Sequence, residues 1–253
     1  MARYVRFKST DGVFYGRLEG DVIYALTACP FGDHKENGKS YALGDVSLLT
    51  PTEPSKMMAV GFNYRDHAIE FHKEIPTEPN IFIKPNSCMA ADGDVVLYPK
   101  ELTKQVEYEA ELVIVIGKTA RYVSEADAME YVFGFTIGND VTARDLQHPD
   151  NQWGICKGFD TFGPFGPWIE TGIDGSCQDI CSVVNGQIKQ HSNTKHLIFT
   201  VPYLVSYLSK AMTLNPGDII FTGTPAGVGP VKPGDVMEMR IEGIGTLTNK
   251  VAE

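Results

Sequence analysis

The feature that most limits what this 253-residue chain can fold into is the run Leu112-Val113-Ile114-Val115-Ile116-Gly117, preceded by Glu107-Tyr108-Glu109-Ala110-Glu111. Its apolar residues occupy both parities, which predicts a strand buried on both faces. Side chains alternate along a strand, so Glu109 and Glu111 point the same way, about 7 Å apart. Two like charges at the mouth of a buried strand are costly unless something positive sits between them. A divalent cation meets that need. A second strand over residues 133–138 leads into Asn139-Asp140 and offers Asp140 as a third carboxylate. Three hard oxygen donors suit Mg2+ or Mn2+ better than zinc. The spacing alone leaves open a solvated strand end with scattered acids.

Around this centre the pattern is one of short strands. Residues 4–7, 13–18 and 22–25 alternate between Asp-Gly and Gly-Asp turns and predict a small N-terminal β appendage over residues 1–50. Pro51 and Pro54 mark the boundary to a main domain over 51–253. Strands are expected at 57–60 and 81–84. A hairpin is expected at 183–188, where Asn185-Gly186 favours a type I′ turn. Pro-Gly-Asp turns at 216–218 and 233–235 launch two more strands. Three helices are expected: 63–73 capped by Asn63, 124–131 capped by Ser124, and 200–212 capped by Thr200 with Pro202 in its first turn. The buried stripe of the third is Leu204, Leu208 and Ala211. The fold class is therefore mainly β with short helices (α+β).

Composition narrows function by exclusion. A net charge of −10 argues against nucleic acid or an anionic membrane as partner, so an anionic substrate needs locally placed cations. No apolar run approaches the ~20 residues of a membrane span, and the N-terminal segment lacks a signal peptide's apolar block. The five cysteines form an odd set without zinc spacing, as expected of reduced thiols in a cytoplasmic protein.

Several residues are candidates for chemistry. His67 and Glu70 stand at i and i+3 of a helix, where a carboxylate fixes the imidazole tautomer and raises its basicity. The same spacing fits an ordinary surface pair. A zinc set of His67, Glu70 and His72 fits no zinc-helix spacing, because His72 falls off the face of His67. Lys157, among apolar and glycine residues, is placed to meet a carboxylate or an oxyanion. Gly223-Thr224-Pro225-Ala226-Gly227-Val228-Gly229 lacks the Gly-Lys-Ser/Thr ending of a P-loop. Its backbone N–H groups and the Thr224 hydroxyl are candidates for holding a carboxylate.

Taken in order, five segments resemble the fumarylacetoacetate hydrolase family: Gly61-Phe62-Asn63-Tyr64-Arg65-Asp66-His67, Tyr108-Glu109-Ala110-Glu111-Leu112, Gly138-Asn139-Asp140-Val141-Thr142-Ala143-Arg144-Asp145-Leu146-Gln147, Lys157-Gly158-Phe159-Asp160-Thr161-Phe162-Gly163-Pro164 and Thr222-Gly223-Thr224-Pro225-Ala226-Gly227-Val228-Gly229. The resemblance implies a mixed β-roll catalytic domain, a homodimer, and Mg2+ or Mn2+ held by Glu109, Glu111 and Asp140. It implies that His67 and Glu70 form a water-activating pair on a lid, that Lys157 is an active-site lysine, and that Arg144, Gln147 and Thr224 contact substrate. A fourth carboxylate of the larger mammalian member has no counterpart that aligns here.

The activity so implied is cleavage of a carbon–carbon bond in a 1,3-diketo acid of the acylpyruvate type, through an enolate that the cation stabilises, with oxaloacetate decarboxylation nearby. Isomerisation or decarboxylation of hydroxyhepta-dienedioate-like diacids in aromatic catabolism is the alternative, since the same enolate serves both. A non-catalytic binding member of the family is the alternative of another class. Loop 148–156 and lid 71–79 are expected to select the distal part of the substrate.

Overall fold

The computed structural model describes residues 2–148 and 152–253. Residues 149–151 of the expected selector loop lie outside the described residues. Strand makes up 44% of the chain and helix 13%, so the mainly β expectation holds. A large mixed sheet runs from Glu36–Ala42 through Val22–Leu26, Gly12–Glu19 and Arg3–Ser9 to Gly163–Glu170. It continues through Val132–Asn139, Ala110–Ile116, Ile219–Phe221 and Met57–Gly61 to Asn80–Lys84 at its far edge. A five-stranded sheet built on the hairpin Asp179–Val184 and Gln187–Asn193 packs across strands 110–116, 132–139 and 163–170. That packing explains why every residue of Ala110–Ile116 is buried. Asn185 (φ 51°) and Gly186 (φ 78°) are both left-handed, as a type I′ turn requires.

The N-terminal strands continue the large sheet rather than standing apart from it. Arg3 pairs with Glu170 and Tyr4 with Ile169, reinforced by the Arg3 Nε to Glu170 Oε2 bond of 2.9 Å. These strands nevertheless enclose their own apolar cluster of Val5, Phe7, Leu18, Ile23 and Ala25. Strand Glu36–Ala42 was not expected from the sequence, because its exposed, polar residues carry no alternation signal.

The helices are shorter than expected. The helix Val201–Ala211 has its Thr200 cap, with the hydroxyl accepting from Tyr203 N, but its buried side is Val201, Leu204, Val205 and Leu208. Ala211 is exposed. The segment 124–131 forms only a 3-10 turn at Ala128–Tyr131, with Ala128 its one buried residue; one apolar anchor is too little to hold a helix. The first helix spans Arg65–Glu70, and Tyr64, not Asn63, precedes it. The Asn63 amide instead donates to the Phe199 and Thr222 carbonyls and accepts from Phe199 N, tying three segments together in the core. Among the described residues, no helix is long and apolar enough to cross a membrane, and all five cysteines are free thiols.

Candidate active site

Glu109 sits where the chain passes from one sheet to another. Val106–Tyr108 pairs with Thr142–Ala143 in a small three-stranded sheet, whereas Ala110–Ile116 pairs with Val132–Asn139 in the large one. At this junction Asp140 N donates to the Glu109 carbonyl (2.9 Å), and Glu109 N donates to Asn139 Oδ1 (2.9 Å). The two strand ends are thereby locked side by side. Gly138 permits the close packing behind them, since a Cβ there would fall 2.4 Å from the Phe221 ring. The outcome is that carboxylate oxygens of Glu109, Glu111 and Asp140 lie within 4.8 Å of one another, closer than strand spacing alone provides.

Cations crowd these acids. Lys157 Nζ bridges Glu109 Oε2 and Asp140 Oδ2, both at 2.7 Å. Arg144 Nη2 reaches Glu109 Oε1 at 2.5 Å, while its Nε meets Glu107 Oε2 at 2.6 Å and its Nη1 meets Gln147 Oε1 at 2.6 Å. Lys84, fully buried, donates to Asp140 Oδ1 at 2.6 Å and to the Lys157 carbonyl. Four carboxylates (Glu107, Glu109, Glu111, Asp140) therefore face three cations. Glu111 is the one without a cationic contact. Its partner is the backbone Gly223 N–H at 2.6 Å, from a residue whose left-handed φ (+97°) glycine alone adopts readily.

The ionisation of the two glutamates separates accordingly. Burial opposes the charge on Glu109, but Lys157 and Arg144 outweigh it and hold that carboxyl below the usual carboxylate range. Burial, and then the Asp140 and Glu109 charges, push Glu111 well above it. Burial likewise opposes the Lys157 ammonium, and the Asp140 and Glu109 charges reverse that and raise its pKa. A divalent cation fits this donor set. It would join three hard oxygens and supply the positive charge that Glu111 lacks. Among the described residues no other group of His, Cys, Asp or Glu converges in this way, and exposed His72 is outside it.

His67 is buried between the Phe62 and Phe71 rings (centroids 5.5 and 4.9 Å away), and its Nδ1 lies 3.0 Å from Glu70 Oε2. The other Glu70 oxygen accepts from Gly227 N at 3.0 Å. Burial raises the Glu70 carboxyl, but the bonds from His67 and Gly227 prevail and leave it lowered. The Tyr108 hydroxyl fixes the same loop by donating to the Gly227 carbonyl at 2.9 Å, with its pKa pushed up to about 12 by burial and by Glu107.

Of the residues singled out from the sequence, His67, Glu109, Glu111, Asp140, Arg144, Gln147, Lys157 and Thr224 line one narrow pocket. Glu70 stands behind His67. Trp153 of the selector loop also lines the pocket, edge-on to Phe62 and Phe82. Sequence reasoning missed Lys84, Glu107 and Gln190. A signal for Lys84 was present: in Asn80–Lys84 it shares the parity of buried Phe82 and so points inward. Glu107 and Gln190 carried none, because their partners Arg144 and Thr224 are remote in sequence.

The family profile for the Fumarylacetoacetate (FAA) hydrolase C-terminal domain matches residues 56–252. The chain belongs to the fumarylacetoacetate hydrolase family. A second profile, Rv2993c-like N-terminal, matches residues 2–51. Oxaloacetate tautomerase YisK of Bacillus subtilis is 42% identical over 83% of this chain and 75% of its own length. The crystal structure of 2-hydroxyhepta-2,4-diene-1,7-dioate isomerase from Mycobacterium marinum superposes with a TM-score of 0.93 at 42% identity, covering 100% of this chain and 98% of that one. Fumarylacetoacetate hydrolase from Exiguobacterium antarcticum gives 0.89 at 35%, covering 100% and 99%. Members of this family are enzymes, and these three are named for a tautomerisation, an isomerisation and a hydrolysis.

Proposed function

We propose that the chain is an enzyme of small 2-oxo dicarboxylates whose central act is proton transfer at the carbon beside the 2-oxo group. Keto–enol interconversion of an oxaloacetate-like acid is the reaction favoured. The observation that carries this reading is the 3.0 Å contact of His67 Nδ1 with Glu70. A carboxylate at Nδ1 keeps the neutral ring's proton there and leaves Nε2 as the basic atom. His67 takes the proton from the substrate carbon at Nε2, and the imidazolium so formed, stabilised by Glu70, delivers it to the enolate oxygen to complete the enol. Returning that proton to carbon drives the reverse direction.

The remaining residues bind and orient. Arg144 and Lys157 supply fixed positive charge for the substrate's carboxylate and for the developing enolate oxygen. Glu109, Glu111 and Asp140 would hold Mg2+ or Mn2+, which when bound supplies Lewis-acid polarisation of the 2-oxo group. The pocket is narrow and walled by Phe62 and Trp153, which favours a short diacid over a seven-carbon one. The name of the Bacillus subtilis relative supports the same choice.

Hydrolysis of an acylpyruvate is the second reading, favoured by Gln147. Its Oε1 accepts from Arg144, which turns its amide donors free for an oxyanion while His67 takes a proton from water. The homodimer belongs to the same proposal and is read by sedimentation. The deciding experiment follows the ultraviolet absorbance of oxaloacetate enol and the proton NMR spectrum of acetylpyruvate, each with Mg2+ and then with chelator. Metal-dependent acceleration of enol decay supports the first reading. Acetate and pyruvate from acetylpyruvate without that acceleration would replace it with the second.

A further inference from the structure

We infer that Thr224 is an acceptor-only contact, set by Gln190, that selects ligands carrying a hydroxyl at the position it faces: an enol or 2-hydroxy diacid in preference to one without the hydroxyl. The inference deepens the small-diacid reading and rests on it. The directions of the hydrogen bonds are determined without ambiguity. Ala110 N can only donate, so the Gln190 atom it meets at 3.0 Å is Oε1. The Pro225 carbonyl can only accept, so the Gln190 atom 2.7 Å from it is Nε2. That same Nε2 lies 2.7 Å from Thr224 Oγ1 and donates to it. The Ala110 carbonyl, 2.9 Å from Thr224 Oγ1, accepts the hydroxyl's single proton.

A threonine hydroxyl offers one donor and two acceptor lone pairs. Here the donor and one lone pair are committed, and one lone pair remains. Gln190 is fully buried and Thr224 is 2% exposed, so neither arrangement is loosened by solvent. Thr224 lines the same pocket as His67, Lys157 and Arg144. Whatever reaches its oxygen must donate. A carboxylate, which only accepts, is repelled there, contrary to the expectation from the sequence that this hydroxyl holds one. An enol O–H or a 2-hydroxyl satisfies it.

Gln190 is thus a positioning residue. It also anchors Ala110, between the two glutamates, to the loop that carries Thr224.

The test is calorimetric titration of D- and L-malate and of succinate, which differ only by the hydroxyl, into the protein with saturating Mg2+. Wild type, Thr224→Val and Thr224→Ser are compared. Wild type should bind one malate enantiomer more tightly than succinate. Thr224→Val should weaken that malate about tenfold, the value of one neutral hydrogen bond at its upper range, and change succinate less than about twofold. Thr224→Ser should restore malate binding, which a packing role for the methyl group would not do. Succinate weakened as much as malate, or malate unchanged in Thr224→Val, overturns the inference. Wild type that binds neither malate nor succinate overturns the small-diacid reading as well, and so separates the two failures.

Discussion

Replacing Glu111 by glutamine should stabilise the protein in chelator and destabilise it, relative to wild type, in Mg2+. Glu111 is 1% exposed, has no cation in contact, and faces the Glu109 and Asp140 charges. Leaving a buried charge uncompensated costs about 3–5 kcal/mol, and protonation of the group caps that cost toward the lower end. Glutamine keeps an acceptor for Gly223 N but exchanges a charged for a neutral hydrogen bond, a loss of about 1 kcal/mol. The net gain is about 2 kcal/mol, which for a chain of this size raises Tm by roughly 4–8 °C.

The dependence on pH identifies the cause of that gain. A carboxyl whose folded pKa is raised binds more protons folded than unfolded. Stability is therefore lost as pH rises from the unfolded pKa toward the folded one, and fully retained below both. The advantage of Glu111→Gln should be present at neutral pH and shrink toward pH 4. Mg2+ at a hundred times its Kd adds about 2.7 kcal/mol to wild type and should add far less to a variant missing one anionic ligand. The assay is differential scanning calorimetry at two pH values, with chelator and with Mg2+. A variant less stable than wild type in chelator at neutral pH would refute the charge argument. An equal Mg2+ increment in both proteins would refute the ligand assignment.

Three further outcomes are expected. Chelation should abolish turnover and added Mg2+ or Mn2+ should restore it; activity that persists in chelator contradicts the metal reading. His67→Gln should lower kcat by about 10²–10⁴, the usual contribution of a general base, while calorimetric Mg2+ affinity stays at the wild-type value. A matching loss of Mg2+ affinity would mean that His67 shapes the carboxylate site instead. Lys84→Met should cost about 3–5 kcal/mol in urea unfolding, because Asp140 loses one of two buried cationic partners; a change below about 1 kcal/mol would show that Lys157 suffices alone.

The sequence by itself determined what depends on neighbours along the chain. The double-parity apolar run at 112–116 required a strand covered on both faces, and Asn185-Gly186 required a tight hairpin. Glu109 and Glu111 on one side of a strand, with Asp140 at the end of the next, specified an acidic mouth before any fold was known. The order of the five motifs placed the chain in its family. Tertiary structure alone decided how that mouth is balanced. Lys84, Glu107, Asn63 and Gln190 act through partners between 34 and 159 residues away, a separation that leaves no local periodicity to read. The shortened helices have the same origin: Asn63 is drawn into the core by Phe199 and Thr222 instead of capping a helix, and residues 124–131 find one buried anchor where a helix needs a face. Which neighbours commit the Thr224 hydroxyl was likewise beyond the sequence, which offered it only as a candidate to hold a carboxylate. A hydroxyl's remaining capacity depends on which neighbours already hold its proton, and folding alone brings Gln190 and Ala110 to it.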